Sequence, residues 1–315
     1  MPVQLGKFAA RRLLQSLPVL LGVTVVVFVL IHLVPGDPAR TALGARATPE
    51  AIEALHEQWG LNKPLLSQYL LFLERLVAGD LGSSLRFGQP AGTLILDRLP
   101  VTLWLIGYAA VLVCLFSVPL ALWAASRPDA LRDRVVRMIS VVGLGVPGFW
   151  LGLVLIELLA VRWQVLPPAG YGDGFAGHLE SMLLPSLTVA AGMTPLVVRS
   201  LRTEVLRMTE SDFVTTARAK GLTTHQVRMR HILRNSLAPS VTVLTVNVSF
   251  MIGGTLVIER IFGLGGLGDL MLTGIDSRDF PLVQAVTLVF AVLVVLVNIL
   301  GDIAQALVDP RVETQ

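Results

Sequence analysis

The chain has little charge. Asp, Glu, Lys and Arg make up 15% of its 315 residues, against roughly 25% in a soluble domain. It has one cysteine, Cys114, which excludes an internal disulfide and a cysteine-built metal site. Cys114 reads as a small buried apolar residue. No phosphate loop of the Gly-x4-Gly-Lys-Ser/Thr type occurs, so the chain carries no ATP-binding motif of its own. Aromatics are scarce and do not interleave with a basic surface, which argues against a nucleic-acid partner. Short-period repeats and low-complexity segments are also lacking.

Apolar residues are in excess: 54% of the chain, with a mean hydropathy of +0.72. They gather in long runs at Leu13–Gly36, Val101–Ser126, Met138–Ile156, Ser181–Val198, Asn235–Ile258 and Phe280–Gly301. Each reaches the roughly 18 residues that mark a spanning helix. An all-α integral membrane protein with six transmembrane helices is expected. The first run is too long for the apolar core of a cleaved signal peptide, and Ala42-Leu-Gly-Ala45, which resembles a cleavage site, lies well beyond it.

Lys and Arg placement orients the spans. Lys7, Arg11 and Arg12 precede the first; Arg127, Arg132, Arg134 and Arg137 lie between the second and third. Arg199, Arg202, Arg207, Arg218, Lys220, Arg228, Arg230 and Arg234 lie between the fourth and fifth. The alternate connections hold few basic residues, so both termini are expected in the cytoplasm. Residues 1–12 then form a cytoplasmic N-terminus, 13–35 the first span, 36–100 an extracytoplasmic segment and 101–315 a core with a cytoplasmic loop at 203–235. Within 36–100, Thr48-Pro49-Glu50 signals a helix start. Ile52, Leu55 and Trp59, then Leu65, Leu66, Tyr69, Leu70, Phe72 and Leu73, predict two short amphipathic helices. Trp104, Trp123, Trp163 and Tyr171 fall where interfacial anchors are expected.

The loop at 203–235 is the most informative stretch. Thr209-Glu-Ser-Asp212 and Thr223-Thr-His-Gln226 are capping-box patterns, and Gly221 sits where a left-handed C-cap is usual. A short helix, a sharp turn and a second helix leading into the fifth span are predicted. Phe213, Val214, Ala217 and Leu222 give the first helix an apolar face; Arg218 and Lys220 add charge. On these residues alone the loop could equally obey the positive-inside rule without further role, or lie on anionic lipid.

Inside or near the spans, His32, Glu157, Asn247, Asn298 and Asp302 are polar and costly in hydrocarbon. Glu157 and Asn247 are candidates for a translocation path; Asn247 and Asn298 also suit contacts between helices, and Asp302 a helix-end interaction. Pro147, Pro185, Pro195 and Gly192 interrupt the third and fourth spans. Gly263-Leu-Gly-Gly-Leu-Gly268 reads as a tight turn or re-entrant segment. No cluster of ligating side chains in the spans predicts a metal site.

Thr216-Ala-Arg-Ala-Lys-Gly221-Leu with His231-Ile-Leu-Arg-Asn235 resembles the cytoplasmic coupling loop of ABC-importer permeases of the dipeptide, oligopeptide and nickel family. The likeness continues through Ala10-Arg-Arg-Leu13, Val34-Pro-Gly-Asp-Pro-Ala39, Leu61-Asn-Lys-Pro64, Gln68-Tyr69, Gly79-Asp-Leu-Gly82-Ser83 and Arg98-Leu-Pro-Val-Thr-Leu103. Leu184-Pro-Ser-Leu187, Gly253-Gly254, Glu259-Arg-Ile-Phe262, Gly265-Gly-Leu-Gly268, Arg278-Asp-Phe-Pro281 and Asp309-Pro-Arg311 follow in the family's order. The chain departs from the pattern at Thr215, where the signature glutamate stands, and at Gly265, where proline is usual.

The resemblance implies a type I importer permease fold and a division of labour. Ser211, Asp212, Phe213, Thr216, Ala217, Arg218, Ala219, Lys220, Gly221 and Leu222 would dock into cytoplasmic ATPase subunits. The partners would be a second homologous permease, two ATPases holding ATP and Mg, an extracytoplasmic substrate-binding protein and membrane lipid, in a bacterial or archaeal plasma membrane. The chain itself would be no enzyme and hold no cofactor. Substrates of the family include dipeptides and oligopeptides, the leading expectation here, with nickel, metal chelates or glutathione as alternatives. An ion-coupled secondary transporter would need ionisable groups near the midplane and usually internal repeats. An intramembrane protease would need a Ser/His or Ser/Lys constellation in the spans.

Overall fold

The computed structural model describes residues 2–33, 37, 39–40 and 47–308, and these are built from helices. Most of Val34–Ala39, all of Ala42–Ala45 and Asp309–Arg311 lie outside the described residues. Helix α1 runs Pro2–Leu33, α2 Pro49–Trp59, α3 Leu65–Val77 and α4 Ala91–Ala125. Next come α5 (Leu131–Gly145) and α6 (Gly148–Leu155), the latter continuing as a π-helical turn over Ile156–Arg162. Helix α7 is Gly174–Thr209, α8 Asp212–Ala219 and α9 Thr224–Gly254, with a π-helical stretch at Val227–Leu233. Helices α10 (Leu256–Ile261), α11 (Leu267–Asp276) and α12 (Phe280–Val308) complete the described residues.

Among the described residues, five helices, α1, α4, α7, α9 and α12, are long and apolar enough to cross a membrane. The sixth expected span is not one straight helix: α5 and α6 meet at 100°. Pro147 lacks the N–H that would continue α5, and Val146 before it is extended at ψ 121°. Pro185 and Pro195 behave differently, staying inside an unbroken α7. The fifth run also ends earlier than expected, at Gly254, before the separate α10. Cys114 is exposed on α4 rather than buried.

Helix α4 packs chiefly on α7, and α9 on α12. Helix α1 attaches to α12 through an ion pair between Arg12 Nε and Asp302 Oδ2 at 3.0 Å. Asn298 Nδ2 donates to Ser249 Oγ at 3.1 Å, tying α12 to α9. The 49–77 segment forms the two predicted helices. Thr48 Oγ1 accepts from Ala51 N–H, and Gly60 closes α2 in the left-handed conformation at φ 73°. The side chains of α3 reach α1: Gln68 Oε1 meets His32 Nε2 at 3.0 Å, and the Tyr69 and Thr24 hydroxyls are 2.8 Å apart.

Candidate functional site

Two regions hold the candidate side chains: the α7–α8–α9 connection and a pair of grooves beside α7 and α9. The first stands on the apolar core at the arginine-rich end of the bundle. Ala121, Leu122 and Ala124 of α4, Val136 of α5, Val198, Leu201 and Val205 of α7, and Val227 and Ile232 of α9 pack there. Val214 and Ala217 of α8 enter the same core, and Leu222 packs against it. Their spacing of three puts both on one helical face. Burying a valine side chain stabilises by about 1.5–3 kcal/mol, enough to hold a helix of two turns that would not persist alone.

The other face of α8 is open. Asp212, Phe213, Thr215, Thr216, Arg218, Ala219, Lys220 and Gly221 are exposed. Phe213 leaves 39% of its surface uncovered. The helix ends as expected: Lys220 is the C-cap and Gly221 takes φ +80°. Leu222 N–H donates to Ala217 O and Gly221 N–H to Arg218 O, the paired bonds of a Schellman turn. The second capping box also forms, with Thr223 and Gln226 exchanging side-chain and backbone bonds. The first does not. Thr209 remains in α7, donating to Val205 O, and Ser211 becomes the N-cap while its hydroxyl donates to Met208 O at 2.5 Å.

Beneath this connection lies a pair that sequence reasoning missed. Asp133 of α5 is wholly buried and receives Arg202 Nε at 2.5 Å and Nη2 at 2.7 Å. Arg137 Nη2 stands 3.4 Å from the same carboxylate. In the sequence, Arg137 and Arg202 read only as basic residues that orient the spans, and nothing marks Asp133. The bidentate geometry locks the start of α5 to the end of α7, the helix that leads into α8.

The two grooves share part of their lining. One, of about 530 Å³, is polar at its arginine-rich end, with Arg199, Ser200, Thr203 and Glu204, and includes Phe250. The other, of about 400 Å³, is walled by Phe149 of the bent pair, Thr188, Met193, Met251 and Ile258. Leu196 and Asn247 line both. Asn247 Nδ2 donates to Val243 O in its own helix at 2.7 Å. Glu157 does not join Asn247: it is exposed on the π-helical turn and pairs with Arg162 Nε at 3.0 Å.

At the opposite end, the glycine-rich motif proves to be a turn around a buried acid. Gly263 and Gly265 have φ +56° and +70°, and α11 starts directly after. The amides of Gly268 and Asp269 donate to Glu259 Oε2 at 2.7 and 3.1 Å, so the carboxylate of the preceding α10 fills the place an anion would take. Thr102 Oγ1 donates to Glu259 Oε1 at 2.8 Å and accepts from Leu267 N–H. Burial pushes the Glu259 carboxyl above the usual carboxylate range, outweighing the Thr102 hydroxyl and the two amides that favour its charged form. Asp279 plays a similar part before α12, joining Ser84 Oγ, Arg86 N–H and Leu282 N–H.

Residues 117–314 match the family model described as binding-protein-dependent transport system inner membrane component, and residues 5–106 match its N-terminal companion. An oligopeptide transport system permease, AppB of Bacillus subtilis, is 36% identical over 98% of this chain and 100% of its own length. A glutathione transport system permease, GsiC of Escherichia coli K12, is 34% identical over 97% of this chain and 98% of its own. Among solved structures, an inward-facing MetNI methionine ABC transporter chain superposes with a TM-score of 0.57 at 19% identity, over 68% of this chain and 96% of that one. That likeness supports the type I permease fold.

Proposed function

This chain belongs to the inner-membrane-component family of binding-protein-dependent transport systems: it is a multi-pass permease component of an ABC importer, and from that premise we propose that α8 is its coupling helix. The observation that supports this is the two-sidedness of α8. Val214 and Ala217 root it in the core shared by α4, α5, α7 and α9, while Phe213, Arg218 and Lys220 stand clear. A partner gripping the open face moves four helices at once. The partner is one of two ATPase subunits, which hold ATP and Mg; their closure, passed through α8, drives alternating access. Residues 203–235 and both termini lie in the cytoplasm, and 36–100 on the outer side.

A second, homologous permease completes the path, and an extracytoplasmic binding protein delivers the cargo. The grooves sharing Leu196 and Asn247 are this chain's contribution to the passage. We assign peptides as the cargo, as in the oligopeptide permease relative; glutathione, itself a tripeptide, is the second reading, favoured by the glutathione permease relatives. The test is purification of the chain from its native membranes in mild detergent, with mass spectrometry of what accompanies it. A second permease, ATPases and a binding protein are expected with the intact chain, and a clear drop in ATPase relative to the second permease when residues 211–221 are deleted. An unchanged ratio of ATPase to second permease would overturn the coupling assignment. The recovered binding protein, titrated with di- and oligopeptides and glutathione, decides between the two cargoes.

A further inference from the structure

We propose that α3 lies in the outer part of the bilayer, with Leu66, Leu70 and Val77 against phospholipid acyl chains, rather than belonging to a water-facing cap. This rests on membrane insertion and on the proposed orientation, with residues 36–100 on the outer side, and is independent of the coupling assignment. The level of α3 follows from α1. Arg12, paired with Asp302, closes the apolar stretch of α1 at one end, and His32 lies 20 residues further on, or roughly 30 Å at 1.5 Å per residue, the thickness of the hydrocarbon core. Between them α1 exposes Leu13, Leu17, Leu21, Val25, Val29 and Leu33, an unbroken apolar face.

Helix α3 packs beside the last third of that stretch. Gln68 meets His32, the Phe28 ring lies 5.3 Å from Tyr69 and 6.1 Å from Phe72, and Tyr69 reaches Thr24. Thr24 is six residues below Leu30, about 9 Å inside the span. The helix therefore touches α1 at hydrocarbon depth. It has no buried residues. Leu65 is 61% exposed, Leu66 70%, Leu70 56% and Val77 89%. Water would be a poor neighbour for that surface; the bilayer already covering α1 is the continuous alternative.

Helix α2 shows the complementary character: Glu50, Glu53 and Glu57 are exposed. Taken together, α2 and α3 are thus amphipathic, with carboxylates on one helix and leucines on the other, as expected at a membrane boundary. Glu74 and Arg75, exposed on the last turn of α3, keep it near the headgroups, where long side chains extend their charges to water.

The test is photo-crosslinking in native membranes. p-Benzoylphenylalanine is placed in the full chain at Leu66 or Leu70, with Val26 on α1 and Glu53 on α2 as reference positions, and adducts are identified by mass spectrometry. Phospholipid adducts are expected at 66 and 70 in yields comparable to position 26, with none at position 53. Adducts to another protein at 66 and 70 would overturn the proposal, as would no adduct there while position 26 captures lipid.

Discussion

Asp133 and Arg202 form a bidentate ion pair in which the carboxylate is wholly buried, with Arg202 Nε and Nη2 at 2.5 and 2.7 Å. Removing one member of such a pair costs up to about 3–5 kcal/mol, whereas replacing both can be nearly neutral; without Arg202 the buried carboxylate keeps only Arg137, at 3.4 Å and half-exposed, as a cation partner. Arg202→Met is therefore expected to lower the unfolding temperature of the purified chain sharply, and Asp133→Asn combined with Arg202→Met to recover most of the loss. Thermal unfolding of the single and double variants in one detergent checks this; no recovery in the double variant would show that packing, rather than charge, governs the site.

Gly221 holds φ +80° at the end of α8. A left-handed conformation costs a residue with a Cβ roughly 1–2 kcal/mol, and proline cannot adopt it. Gly221→Ala is expected to weaken ATPase association at α8 modestly and Gly221→Pro strongly, with membrane insertion unchanged in both. Co-purification yield is the readout, and normal assembly of Gly221→Pro would count against the docking geometry.

The capping residues of this connection, Gly221 and Thr223 with Gln226, were legible because capping is local chemistry written within four residues. Spans were legible because hydropathy integrates over about 20 residues. Direction was not: a hydropathy window sees Met138–Ile156 as one run and cannot see the 100° elbow at Val146–Pro147. Long-range polar pairs were equally hidden. Nothing local to Asp133 names Arg202 as its partner, and Glu259 sat in a recognisable motif without revealing that it fills the turn built by Gly266 and Gly268. The open groove shared by Leu196 and Asn247 depends on how α7 and α9 pack, which no single segment encodes.

A Cβ on Gly266 would fall 2.5 Å from Glu259 Oε2 and 2.7 Å from Thr102 Oγ1, neither of them free to retreat. Gly266→Ala is expected to destabilise by about 1–3 kcal/mol, the usual range for overpacking, and to expose residues 256–276 to hydrogen exchange. Unchanged exchange across that segment would mean the turn relaxes without cost.

Burial raises the Glu259 carboxyl. A carboxyl with a folded pKa above its unfolded value contributes stability that is fully present below the unfolded pKa and is lost as pH rises through the folded one. Stability is thus expected to fall as pH rises above the ordinary glutamate range, and Glu259→Gln to remove that component of the dependence. Thermal unfolding of both proteins across pH 4.5–8 checks the slope; parallel curves would place the titrating group elsewhere.

The central claim is that α8 transmits force through its open face, and Phe213 is the large apolar side chain on that face. The most direct measurement is peptide-stimulated ATP hydrolysis and peptide uptake by the assembled transporter in proteoliposomes, comparing the parent with Phe213→Ala. Truncating an anchor at an interface costs about 2 kcal/mol or more, so uptake is expected to fall by roughly tenfold or more, with folding and insertion intact. Uptake and stimulated hydrolysis equal to the parent's would contradict the account.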